Sequence, residues 1–301
     1  LRAANYRLIF HVMHGDFATA RAHLEVLRSF AETTSSPPFL RILSEMNSSV
    51  LTWQEARHAE AHRHIDRAFE IAQASGVHVL DAFLQLQRAY AALSEGDLDR
   101  VEAALAACAP LIRPARAIEA AHFQTLRAPA LFLRGDRSTA IATMREAVER
   151  MNALVERFGV ATCGAQLGQM LMLEGLHEEA RLHLDRGLAI ACAMQSDILE
   201  FHCRMALAWS WLDTDNELRG LEHLRAGLTI GARRDYMNCH PLWLPHVMAG
   251  LFGAALEARI EVDYVRRFIT HRKVVPGDSV CSSASSRWRR AAKRSGVHLI
   301  C

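Results

Sequence analysis

Lysine is almost missing from this chain: Lys273 and Lys293 are the only two, and every other basic side chain is arginine. Strong net charge is missing as well. Thirty-five basic residues against 33 acidic ones leave +2, so no field advertises nucleic acid or an anionic lipid surface. The balance is uneven along the chain. Residues 276–301 hold five basic side chains and one acid, which leaves residues 1–275 at −2 (30 − 32). No apolar run reaches the roughly 18 residues that cross a bilayer, which excludes a transmembrane helix. The first residues lack the charged-then-apolar pattern of a secretory signal.

Paired cysteine motifs are also lacking. No CxxC occurs, and seven cysteines is an odd number. Cys108, Cys163, Cys192, Cys203 and Cys239 sit in apolar stretches, as small buried thiols do in a reducing cytosol. There is no GxxxxGKS/T phosphate loop and no GxSxG elbow, so neither nucleotide binding nor a hydrolase nucleophile can be placed here. No stretch alternates with period two for long enough to make a sheet. What remains is 301 residues, 50% of them apolar and 23% charged, a globular composition large enough for one big domain or two ordinary ones. The chain opens on Leu1 with a helical pattern already in progress, which suggests a piece of something longer.

A repeat fills the space between these absences. Turn-like pairs occur at Gly15-Asp16, Gly96-Asp97 and Gly135-Asp136, more weakly at Gly175-Leu176 and Asp215-Asn216, with Gln54-Glu55 in the vacant slot. The step is about 40 residues. After each turn comes a small or slim residue: Ala20, Ala61, Val101, Ala140, Ala180 and Gly220. Four residues on lies a larger apolar one: Leu24, Ile65, Leu105, Met144, Leu184 and Leu224. Three further on, Ala68, Cys108, Ala147, Gly187 and Gly227 are small again, and Leu27 departs. Twelve residues before the post-turn position lie Ser49, Ala89, Ala128, Gly168 and Ala208, with Leu8 the exception. Positions i, i+4 and i+7 share one helical face, and small residues on successive helices let two backbones approach. Each repeat therefore reads as a helical hairpin that must stack on its neighbours to hide its apolar stripe.

The approximate hairpins run 1–34, 39–75, 77–113, 116–158, 160–195, 197–235 and 238–272. Pro37-Pro38 and Pro110 with Pro114 fall between pairs, where helix breakers belong. Pro129 falls inside a first helix and should kink it. Pro241 can open a helix, while Pro245 sits awkwardly one turn later.

The small–large–small pattern with its twelve-residue gap resembles the tetratricopeptide repeat (TPR), with a period near 40 instead of about 34 residues and no closing proline. The stretch Ala255–Asp278 carries a second resemblance. Ile260, Glu261, Tyr264, Val265, Arg266, Ile269, Val275 and Pro276 match the short helix and proline exit that end the helical region of large bacterial transcriptional activators of the maltose-regulon-activator and LuxR-like group. Tyr90-Ala-Ala-Leu93-Ser-Glu-Gly96-Asp97 looks like the same group. That resemblance covers residues 1–278. It implies a layout of ATPase module, helical superhelix and DNA-binding domain, of which this chain supplies only the sensor and oligomerisation arm. ATP and DNA then belong to modules outside it.

The expectation is thus an all-α, TPR-like helical-hairpin solenoid over 1–272, followed by a basic, disordered tail over 273–301. The tail's basic residues around Trp288 could touch phosphate, although nothing in it has helical periodicity. His58, His62 and His64, beside Glu55 and Glu60, form the densest histidine group. His58 and His62 lie one turn apart, as in zinc sites, but the HExxH order is absent and no third ligand is fixed. The concave groove is the better candidate. Its expected lining is Trp53, Phe83, Tyr90, His122, Phe132, Gln169, His202 and Trp209, aromatic faces with a few polar groups suited to a small organic ligand or an extended peptide. These aromatics could equally pack between adjacent first helices. The reading is a cytoplasmic, non-enzymatic sensor arm with a protein partner or small effector in the groove and a capacity for self-association. The alternative is a free-standing TPR-like interaction scaffold.

Overall fold

Five of the turns inside the pairs share one plan: a left-handed residue, Gly15, Ala56, Gly96, Gly135 or Gly175, and then the residue that precedes the next helix. Gly15 (φ 78°), Gly96 (φ 91°) and Gly135 (φ 98°) adopt the backbone that only glycine enters freely. The aspartate after each accepts the backbone N–H three residues on: Asp16 from Thr19, Asp97 from Arg100 and Asp136 from Thr139. Such caps satisfy one of the helix's open donors. In the second repeat the left-handed residue is Ala56 (φ 59°). The turn there is Ala56-Arg57, not Gln54-Glu55, and the step from Gly15 to Ala56 restores the spacing. The residue without glycine's freedom hid the slot from the sequence pattern.

The computed structural model describes residues 2–33, 35–113, 116–214, 216–239 and 242–274. Expectations for Pro114, Asp215, His240, Pro241 and residues 275–301, including Val275, Pro276 and the tail around Trp288, lie outside these. The described residues form fourteen α-helices and no strand. In chain order the pairs are α1 (Arg2–His14) with α2 (Phe17–Ala31), α3 (Pro38–Gln54) with α4 (His58–Ser75), and α5 (Asp81–Glu95) with α6 (Leu98–Cys108). There follow α7 (Ala117–Leu133) with α8 (Arg137–Ala153), α9 (Arg157–Leu173) with α10 (His177–Met194), α11 (Asp197–Asp213) with α12 (Glu217–Arg234), and α13 (Pro245–Glu257) with α14 (Val262–Arg272). The chain is an all-α, TPR-like solenoid of helical hairpins.

The repeat columns are its spine. Ala20, Ala61, Val101, Ala140 and Ala180 are fully buried, as are Ser49, Ala89, Ala128 and Ala208. A Cβ added at Gly168 would lie 2.7 Å from the Leu184 side chain, and one at Gly187 3.1 Å from Cys203 Sγ, so the columns are small because two helices meet there. Their large partners, from Leu24 to Leu224, are buried, each worth about 1.5–3 kcal/mol by transfer. Leu8 and Leu27, which break the columns in the first repeat, are buried too; Leu27 packs with Ala31 and Leu40 onto the second pair.

Three local expectations need adjustment and a fourth holds in its placement. Phe158 belongs to the fifth pair, because Glu156 caps α9 by accepting the Gly159 N–H. Pro129 does sit inside a first helix as expected, buried in α7, which continues to Leu133. Pro245 is not awkward: it is the first residue of α13, where a missing N–H costs nothing. Cys192 is exposed, whereas Cys108, Cys163, Cys203 and Cys239 are buried.

An open solenoid touches only sequence neighbours. This one also closes on itself. Ser196, the cap of α11, donates its hydroxyl to the Met13 carbonyl at 2.6 Å, and Tyr236 donates to the Gly15 carbonyl at 2.9 Å. A single apolar cluster runs from Leu8 to Val274, joining the first pair to the last.

Candidate functional site

The first helices of the second, third and fourth pairs carry a ladder of rings. Trp53, in the last turn of α3, stacks on Tyr90 of α5 with centroids 5.7 Å apart and planes 6° apart. Its indole N–H donates to Gln87 Oε1 at 3.0 Å. The Tyr90 hydroxyl lies 2.9 Å from His122 Nδ1 on α7, and the two rings meet edge to face at 6.1 Å. Burial pushes the Tyr90 phenol up and the His122 imidazole down to about 4, so both rings are neutral near pH 7. Thr125 Oγ1 and Cys163 Sγ, 3.2 Å apart, continue the contact from α7 to α9. Three of the eight expected groove residues therefore come together, and they do so by bridging adjacent first helices.

The other five are dispersed. Phe132 ends α7 with the Arg137 guanidinium 5.5 Å from its ring. Phe83 and Trp209 are half-buried against the main core. Gln169 on α9 and His202 on α11 are buried. His202 hydrogen-bonds the Asn238 backbone, and burial brings its pKa down to about 3.

Asn238 marks the element that the sequence reading missed. Part of the stretch between α12 and α13 lies against α3 and α5. Asn238 Nδ2 donates to Ser94 Oγ at 2.7 Å and to the Trp53 carbonyl at 3.1 Å. Arg272, at the end of α14, donates to Asn238 Oδ1 at 3.0 Å and to the Ser94 carbonyl at 2.6 Å. Its guanidinium lies 3.8 Å from the centre of the Trp243 ring. Burial lowers the Arg272 pKa to about 10, still charged at neutral pH. Tyr264, one of the residues of the terminal-helix resemblance, donates to the Tyr236 carbonyl. That helix thus holds the closing segment in place. Nothing periodic announces such a strap: the last hairpin is expected over 238–272, but its first helix starts only at Pro245, and Asn238, Cys239, Trp243 and Leu244 are non-helical.

The histidine group separates in three dimensions. His58 Nε2 lies 3.0 Å from Ser94 Oγ, His62 Nε2 3.1 Å from Glu95, and His64 Nδ1 2.6 Å from Glu45. Burial, and then the Arg272 charge, bring His58 down to about 3. Among the described residues no three His, Cys, Asp or Glu side chains converge. The buried thiols are not activated either. Burial pushes Cys108 up to about 11, and Cys163, Cys203 and Cys239 up to about 12, the reverse of what a nucleophilic thiolate needs.

Hydrogen-bonding capacity, not nucleophilicity, is what the inner face offers. Gly168 of α9 packs on α10, so Gln166, two residues back, points about 200° away from that contact. Gln166 is fully buried, yet neither its Oε1 nor its Nε2 has a partner; Gln169 Oε1, one turn on, has none. Leaving such atoms unpaired costs about 1–3 kcal/mol each. Together these atoms offer two acceptors and one donor side on one helix, a match for the N–H and C=O groups of an extended chain. No described helix is long and apolar enough to cross a membrane.

Two solved structures share this architecture. NprR in complex with its cognate peptide NprX matches over 97% of this chain and 87% of its own, with a TM-score of 0.60 at 13% identity. A Rap protein complexed with Competence and Sporulation Factor matches over 98% of this chain and 97% of its own, with a TM-score of 0.59 at 10% identity. The likeness is one of fold. No family model and no curated protein matches the sequence.

Proposed function

We propose that this chain is a non-enzymatic sensor arm that binds an extended peptide along the inner face of its solenoid. The unpartnered Gln166 amide and the Gln169 Oε1 carry the reading, because a peptide backbone supplies the N–H donors and the C=O acceptor that these atoms lack. The fold supports it: NprR in complex with its cognate peptide and a Rap protein complexed with Competence and Sporulation Factor share this architecture. A peptide that extends from these amides over Trp53 and Ser94 must displace Asn238, which holds both. The ligand therefore favours an open arrangement over the closed one, and that differential affinity is the signal.

In the larger assembly implied by the terminal-helix resemblance, the arm passes this change to flanking ATPase and DNA-binding modules of a cytoplasmic bacterial transcription regulator. There it switches self-association; ATP and DNA bind those modules, not this one. The direct test passes a pool of synthetic hexapeptides over the immobilised chain and reads the retained set by mass spectrometry. The reading expects a small enriched set that is lost in the Gln166→Leu, Gln169→Leu double variant. No enrichment, or the same set on the double variant, would overturn it.

A further inference from the structure

A second concavity lies outside the inner face, at the seam where the two ends of the solenoid meet. It is an open cleft of about 1010 Å³, at the upper end of ligand-site volumes. One wall comes from the start of α2 and the α3–α4 turn, with Arg21 and Arg57. The other comes from the end of α12 and from α14, with Arg234, Arg266 and Arg267. Phe17 and Met237 supply apolar surface between them. The walls are 177 (234 − 57) to 254 (271 − 17) residues apart in sequence, so the cleft exists only while the ring is closed.

Five arginines face two carboxylates, Glu55 and Asp235, in the lining, a sum of +3 (5 − 2). The arginines are held but not used up. Arg21 spends one contact on Glu55, and Arg267 one on Asp235 at 3.0 Å, with their side chains 52% and 56% exposed. A guanidinium has five N–H donors in a fixed fork, so each can take a further carboxylate while keeping its present one. Asp16, Glu60, Asp197 and Asp263, outside the lining, pair with Arg234, Arg57 and Arg266. These acids, with Glu55 and Asp235 among the arginines, oppose a dense polyanion such as nucleic acid. Carboxylates spaced along a peptide, with apolar side chains between them for Phe17 and Met237, fit the pattern better.

We infer that the cleft binds an acidic, partly apolar peptide segment of a partner protein and clamps the closed ring. Because it touches both ends of the solenoid, such a segment stabilises the closed arrangement by binding it alone. This site is independent of the inner-face reading, and its test separates the two.

The probe is a fluorescein-labelled heptapeptide of alternating glutamate and leucine, followed by anisotropy at 20 mM salt. Binding is expected, weakening at least about tenfold by 300 mM salt as exposed charges are screened. The Arg21→Glu, Arg267→Glu variant should lose at least about tenfold in affinity. Arg145→Glu, an equally exposed arginine on α8 paired with Glu179, should not. The Gln166→Leu, Gln169→Leu variant should bind the probe as the parent chain does. Circular dichroism and melting curves confirm that each variant folds. The inference falls if the parent chain does not bind, if Arg145→Glu weakens binding as much as the cleft variant, or if a random DNA duplex of equal charge displaces the probe at lower concentration than unlabelled peptide.

Discussion

Replacing Asn238 with leucine removes the strap's central polar contacts while nearly preserving volume, and the consequence can be worked from the geometry. Asn238 is 1% exposed. The change deletes two neutral hydrogen bonds, to Ser94 Oγ and the Trp53 carbonyl, and one from the charged Arg272 guanidinium. Neutral bonds are worth about 1 kcal/mol each and the charged one about 1.5–3. Part of this is recovered: Ser94 keeps His58, the Trp53 carbonyl keeps the Ala56 N–H, and leucine gains apolar burial. A net loss of about 3 kcal/mol remains, more than a hundredfold in the closing equilibrium at 1.4 kcal/mol per decade. In a solenoid held by neighbour contacts this loss falls on the closure, not on every hairpin. Amide hydrogen exchange should therefore quicken at residues 15–16 and 236–239 while α7–α10 keep their protection. Peptide affinity on the inner face should rise, because less closed state has to be undone. Unchanged exchange at residues 15–16 would refute the strap argument, and uniform loss of protection would refute the claim that closure is separable from the fold.

Three further outcomes are expected. Gly15→Ala should destabilise by about 2 kcal/mol or more in a denaturant titration, since φ is 78° and the new Cβ would sit 1.9 Å from the Tyr236 hydroxyl oxygen. His58, His122 and His202 have pKa values depressed by burial to about 3, 4 and 3. Their folded pKa lies below the unfolded one, near 6.5, so their stabilisation is complete above about pH 6.5 and lost as pH falls towards 3–4. Each contributes a slope of up to about 1.4 kcal/mol per pH unit in that window. Urea midpoints between pH 7.5 and 5 should fall, and His122→Phe should flatten the slope. Gln166→Leu should raise stability by about 1 kcal/mol, because an unpaired buried amide is replaced by an apolar group, while weakening peptide retention; a loss of stability would show that the amide is paired.

Much of the fold was legible because its information is local and recurrent. Ala20 to Gly220 and Leu24 to Leu224 state the same packing requirement six times, and turns built on Gly-Asp punctuate it. The slot that misled was Ala56-Arg57, where a non-glycine adopts the left-handed backbone and the motif loses its letters. The site was legible only in part. Trp53, Tyr90 and His122 join into one ladder, as their shared position on first helices predicts, but Phe132 and His202 serve other neighbours.

The sequence by itself determined the hairpins, their register and the faces they bury, because helical period and backbone chirality act between residues close along the chain. Only the tertiary structure decided that the two ends meet, that Asn238 and Arg272 strap the inner face, and that arginines from α2 and α14 share one cleft. Those contacts join residues some 140 to 250 apart. They depend on the small rotation each hairpin adds to the next, which sums over seven pairs and is written in no single one.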